Sequence, residues 1–142
     1  MFNEVTSGRH FMGRVNHGED LLEALNRACR QHDIGLGMVS AIGAVQKGVL
    51  GYYNQVQQVY HTIHLDRPLE IVHLSGNISM KDNQPFVHAH AILSDASGQT
   101  FGGHLFPGTI VFACETIIHA LDGTALQRQL DPTTGLPLWS LP

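Results

Sequence analysis

Two histidines separated by one residue, in Phe86-Val87-His88-Ala89-His90-Ala91-Ile92-Leu93, and a third in Phe101-Gly102-Gly103-His104-Leu105 carry the clearest chemistry in this 142-residue chain. On a strand, side chains at i and i+2 leave the same face with Cα atoms roughly 6.6 to 6.8 Å apart, so His88 and His90 can reach one ion. If 86–93 and 100–105 form a hairpin closed by Asp95-Ala96-Ser97-Gly98-Gln99, with Ser94 opposite Thr100, then His104 stands opposite His90 on that same face. A loop changed by one residue would send His104 to the other side. Gly102 and Gly103 either bulge the strand to aim the ring or let another chain pass close by.

Three neutral imidazoles suit zinc, with iron, nickel or manganese as alternatives. They add no charge of their own, so a bound ion keeps its full positive charge and can acidify a water in an open fourth position. The plain alternative is a polar strand face that carries histidines and binds nothing. The other seven histidines lack such spacing. His10, His17 and His32 flank the first strand and the helix. His61 and His64 point opposite ways on one strand, His73 shares parity with Leu69 and Ile71 and so reads as a core or interface residue, and His119 is a candidate for an interface.

Glu70 and Glu115 each interrupt a strongly apolar run, where a carboxylate is costly unless paired. Either is a candidate catalytic residue: a fourth ligand, an acceptor for a ligating imidazole, or a general base. The competing reading is an ion partner for Arg9, Arg14 or Arg67, or an exposed edge. No nucleophile motif, phosphate loop or dinucleotide fingerprint appears, and Gly35-Leu36-Gly37 reads as a helix stop. Binding and hydrolysis of a small molecule therefore both stay open, beside a non-enzymatic scaffold role.

The elements that must position these residues are mostly strands. Residues 19–32 predict the one long helix: Leu21, Leu22, Leu25, Ala28 and Cys29 form a single apolar stripe, with acids in the first turns and Arg27, Arg30 and His32 in the last. Runs at 9–15, 38–45, 48–53, 56–64, 69–80, 86–93, 100–105 and 109–121 are β-rich and punctuated by Gly, Asn, Asp and Pro. Lys81-Asp82-Asn83-Gln84-Pro85 is the best hairpin turn. The pattern predicts an α+β domain, mostly antiparallel sheet with one long helix and room for a short second one. The whole chain, 1–142, reads as a single domain with a core over about 8–130. Residues 131–142 read as a loop tail lying over the body through Leu136, Leu138 and Trp139.

Composition bounds the partners. Charged residues make up only 14% of the chain, against roughly 25% in typical soluble domains. A surface so poor in charge suggests that part of it is hidden, most simply against another copy. A formal net charge of -4 with eight Lys and Arg together disfavours non-specific binding to nucleic acid. No apolar run is long enough to span a membrane, the N-terminus lacks a secretory pattern, and Cys29 and Cys114 have no CxxC spacing; a cytoplasmic protein with two reduced thiols is expected.

Taken in order, Gly18-Glu19-Asp20-Leu21, Ala41-Ile42-Gly43-Ala44, Gly51-Tyr52-Tyr53, Leu69-Glu70-Ile71, Leu74-Ser75-Gly76-Asn77-Ile78-Ser79, Pro85-Phe86-Val87-His88-Ala89-His90 and Gly102-Gly103-His104-Leu105 resemble the plant and prokaryote conserved (PPC) domain. The resemblance covers residues from about 8 to 130. It implies an α+β fold on an antiparallel sheet and a homotrimer, and it aligns His88, His90 and His104 with the histidines of metal-containing prokaryotic members. Plant members are fused to AT-hook segments and contact transcription factors, and stand-alone bacterial members often carry a DNA-binding label by that association. No basic Arg-Gly-Arg segment occurs here. The plant contact segment Gly-Arg-Phe-Glu-Ile-Leu is matched only at Glu70 and Ile71 within Arg67-Pro68-Leu69-Glu70-Ile71-Val72.

Overall fold

In the computed structural model, which describes residues 2–140, the chain runs β1 (Thr6–Val15), α1 (Leu21–Gln31), β2 (Gly37–Asn54), β3 (Val59–Leu65), β4 (Leu69–Lys81), β5 (Gln84–Ser94), β6 (Thr100–Leu105), β7 (Ile110–Asp122), β8 (Gln127–Leu130) and β9 (Pro137–Ser140). The strands form one mostly antiparallel sheet in the order β1-β7-β2-β6-β5-β4-β8-β9, with β3 on β2. Because β2 also pairs with β4, the strands β2, β6, β5 and β4 close into a ring. The strands bury Val39, Leu50, Leu74, Ile78, Val87, Leu93 and Leu105 in the core, and α1 adds Leu21, Leu25 and Cys29.

The helix starts where the sequence asks it to. Asp20 is the N-cap, its Oδ1 accepting from the Glu23 backbone N–H at 3.1 Å, which satisfies one of the helix's free donors. Its end comes earlier than Gly35. Asp33 takes a left-handed conformation (φ 53°), and the Ile34 N–H donates to the Cys29 carbonyl at 2.9 Å. That six-to-one bond closes the helix in a Schellman pattern before either glycine is reached. On the buried face, Asn26 Oδ1 accepts from the Val87 N–H at 2.9 Å, so the helix is tied to the backbone of β5 one residue before His88.

Several elements differ from the sequence expectation. The runs at 38–45 and 48–53 are one strand, β2, which changes partners midway: its first half pairs β4 and β7, its second half β3 and β6. Gly43 makes this long strand workable. It sits at φ 141°, and a Cβ there would lie 2.2 Å from the Ala113 carbonyl oxygen. The tail is no plain loop, because β8 and β9 pair as a hairpin from Gln127 with Ser140 to Leu130 with Pro137. Among the described residues α1 is the one helix, so the room left for a second short one is not used. His73 is exposed and not in the core, because a bulge between Ile71 and His73 shifts the register and turns Leu74 inward instead, which leaves the interface half of the expectation open.

Candidate metal centre

Two turns place the three histidines. Asp82 and Asn83, both at positive φ (50° and 60°), join β4 to β5 with Lys81 opposite Gln84. This is the geometry of a two-residue type I′ hairpin, which Asp and Asn tolerate. At the next turn Asp95 Oδ1 accepts from the Ser97 N–H (2.9 Å), the Ser97 hydroxyl (2.6 Å) and the Gln99 N–H (3.2 Å). That turn pairs Ser94 with Thr100 and therefore His90 with His104. The expected register holds without a bulge between β5 and β6. Of the two roles open to the glycine pair, Gly103 fills the second: it packs on β2, where a Cβ would lie 2.6 Å from the Gly51 carbonyl oxygen.

His88, His90 and His104 come together. Their ring centroids are 4.9 to 5.4 Å apart, and one nitrogen from each lies within 4.8 Å of the others. Four-coordinate zinc with bonds near 2.0–2.1 Å needs nitrogens roughly 3.3 Å apart, so the rings must approach by up to about 1.5 Å to share one ion. Burial, with help from Arg128 and the neighbouring imidazoles, holds both His88 and His104 down to about 4. Both rings are then neutral near pH 7 and offer lone pairs. His104 Nδ1 is buried with no hydrogen-bond partner among the described residues, an arrangement that costs stability unless something fills it. The residues present fit a divalent ion.

Around the imidazoles lies a half-open cavity of about 820 Å³, lined among others by Tyr52, Tyr53, Tyr60, Gly102, Thr134 and Leu136. Tyr60 stands 5.1 Å from the His104 ring and 4.9 Å from the Tyr53 ring. Burial first, and then Tyr53, raises its phenol above the usual value, with Arg128 opposing. The turn between β8 and β9 forms the far wall. Tyr53 Oη donates to the Thr134 carbonyl at 2.6 Å and Gln58 Nε2 to the Thr133 carbonyl at 3.0 Å.

Arg128 on β8 backs the site. Its Nε donates to Ser79 Oγ (2.8 Å), Nη1 to the Pro137 carbonyl (2.9 Å) and Nη2 to Asn77 Oδ1 (2.7 Å), and Phe86 and Trp139 flank the guanidinium. Nη2 also lies 3.4 Å from His88 Nδ1, too long to fix that ring's proton but close enough to keep a positive charge beside it. Sequence reasoning missed Arg128, Tyr60 and the Thr133–Thr134 wall. The only signal was the apolar tail, read as lying over the body without a destination.

The two carboxylates are elsewhere. Glu70 and Glu115 are both exposed and share a separate shallow groove with Ile42, Val72 and Ala113. Arg14 is the cross-strand partner of Glu115. His10 and His119 form a cross-strand pair with Nδ1 atoms 2.8 Å apart. Cys29 and Cys114 are buried and free, each thiol pushed up to about 11 by burial. Among the described residues no helix is long and apolar enough to cross a membrane.

A ringed antiparallel sheet capped by one helix, with three imidazoles on its outer surface, defines the class. The chain belongs to the Plants and Prokaryotes Conserved domain family, whose sequence model matches residues 2–122. It is similar in structure to a metal-containing protein from Archaeoglobus fulgidus, at 42% identity over 99% of each chain with a TM-score of 0.95. A plant- and prokaryote-conserved protein from Pyrococcus horikoshii matches at 33% identity over 99% of this chain and 97% of its own, TM-score 0.93. In sequence the chain is 35% identical over 125 residues to the bifunctional protein GlmU of Synechococcus sp. strain JA-3-3Ab. That match covers 86% of this chain and 19% of GlmU, so the chain spans about a fifth of the curated relative's length.

Proposed function

We propose that this protein holds one divalent cation, zinc before iron, nickel or manganese, on His88, His90 and His104, and binds a small anionic molecule there as a homotrimer. The convergence of three ring nitrogens within 4.8 Å carries the reading; the unpartnered His104 Nδ1 supports it, as does likeness to a metal-containing protein. A bound divalent ion would supply positive charge and Lewis acidity. The protein's part is to hold neutral nitrogen donors beside an open cavity. No Asp or Glu is among the residues lining that cavity, and Arg128 stands behind His88, so the site favours an anion.

Self-association has its own support. Met12, Met38, Ile42, Val72 and Phe112 are exposed on the outer surface of the sheet. A continuous row of cross-strand neighbours, Met12, Ile117, Ser40, Ser75, His90 and His104, runs from that apolar region to the metal site. A second copy covering the patch would stand beside the cavity. A net charge of -4 makes direct DNA binding the weaker reading.

Elemental analysis of protein purified without a nickel column tests the metal, with about one equivalent per chain expected and lost in His88→Ala. Metal-free wild type, together with unchanged thermal stability in His88→Ala, would defeat it. Sedimentation equilibrium tests the assembly, with a trimer mass expected for wild type and a monomer for Ile42→Asp.

A further inference from the structure

We propose that the three-histidine cavity takes a small anion bearing a planar apolar group, an aromatic carboxylate in the simplest case, and that Tyr60 donates a hydrogen bond to its charged end. This rests on the metal reading above and adds the ligand class and a residue that selects it. Size comes first. About 820 Å³ lies within the range of sites for organic ligands, roughly 300–1,000 Å³, and greatly exceeds what an ion with its waters or a bare phosphate fills.

Charge fixes one end. No carboxylate is among the lining residues. Asp131, the acidic residue of the walling turn, is already engaged, its Oδ2 accepting from the Thr134 N–H (3.0 Å) and hydroxyl (2.6 Å). The imidazoles and the Arg128 side thus meet no compensating negative charge inside the cavity.

Shape fixes the other end. Tyr53 and Tyr60, both lining the cavity, stand in a continuous aromatic row with His104, backed by Phe106, with successive centroids 4.9 to 5.1 Å apart. Gly102 and Gly103 expose backbone without side chains at the cavity floor, and Leu136 adds an apolar surface from the tail. A flat ring has aromatic faces to stack on and no side chain beneath it to displace. The two tyrosine hydroxyls divide the work. That of Tyr53 is committed to the Thr134 carbonyl, whereas that of Tyr60 has no hydrogen-bond partner among the described residues. A phenol is a neutral donor at physiological pH, so Tyr60 offers the charged end a hydrogen bond next to the imidazoles.

The test uses protein loaded with Co(II), whose visible spectrum responds to ligands entering a three-histidine site, titrated with benzoate, acetate and inorganic phosphate. Benzoate is expected to bind at least tenfold tighter than acetate, and phosphate no tighter than acetate. Tyr60→Phe should weaken benzoate about tenfold at unchanged Co(II) stoichiometry. Gly102→Leu fills the cavity from a position where a Cβ meets nothing closer than 3.8 Å. It should erase the preference for benzoate while acetate still perturbs the spectrum. Equal affinity for benzoate and acetate, tighter phosphate, or an indifferent Tyr60→Phe would overturn the proposal. Failure of wild type to take up Co(II), seen before any anion is added, would overturn the metal reading itself.

Discussion

The three-histidine cavity and the Glu70–Glu115 groove both began as polar residues set in apolar strands, and the fold treats them oppositely. In the cavity, a tight turn and an Asp95-anchored loop bring three side chains to one point, and burial holds two of them neutral. In the groove, two carboxylates lie exposed among Ile42, Val72 and Ala113. The lesson is that residue type marks a candidate, whereas convergence with desolvation marks a site.

The sharpest way to break that contrast is to replace one polar side chain in each region. His104→Ala should weaken divalent-metal affinity by at least about a hundredfold by competition with a chromophoric chelator, a larger loss than the 10–100-fold typical of outer partners. Glu115→Gln should leave that affinity unchanged; a comparable loss there would move the groove into the metal site.

Next in size is the backbone beneath the cavity. Gly103→Val must push a side chain against the Gly51 carbonyl and should cost about 2–3 kcal/mol in urea unfolding. Gly102→Ala, whose Cβ would meet only ordinary contacts at 3.8 and 3.9 Å, should stay within about 0.5 kcal/mol. Arg128→Gln frees the Ser79, Asn77 and Pro137 acceptors together; a loss of about 1–3 kcal/mol is expected.

A pH series on metal-free protein separates the two regions more gently. His88 and His104 have folded values near 4, below the ordinary 6.5. Between those values the unfolded chain binds more protons than the folded one, so stability is highest above pH 6.5 and declines as pH falls toward 4. The melting temperature should drop over that window, and less so in a His88→Ala, His104→Ala double variant. Smallest of all, Glu70→Gln should change stability by no more than about 0.5 kcal/mol.

Much of this was legible in the sequence, and unevenly. The Asp95–Gln99 turn sets the β5–β6 register, so the pairing of His90 with His104 followed from parity once that turn was recognised. Parity failed for His73 because a bulge, which leaves no mark in residue alternation, intervenes after Ile71. Two predicted strands proved to be one because β2 continues through Gln46 and Lys47, where it stays paired with β7 across register shifts that residue alternation does not reveal. Tyr60, Thr134 and Arg128 reach the site from three separate segments, and no local spacing connects them to the histidines.

The tail hairpin also divides the site into a local part and a long-range part. His88, His90 and His104 sit on neighbouring strands of one local hairpin, a unit that closes in about 1–10 μs once its residues are available. The wall that turns their surface into a cavity, residues 133–136 with Arg128 behind, comes later in the chain and docks across distant sequence. The imidazoles thus meet through local pairing, whereas the enclosure depends on long-range docking. Loss of the tail hairpin would therefore leave the three imidazoles together on an open surface, without the wall that encloses them.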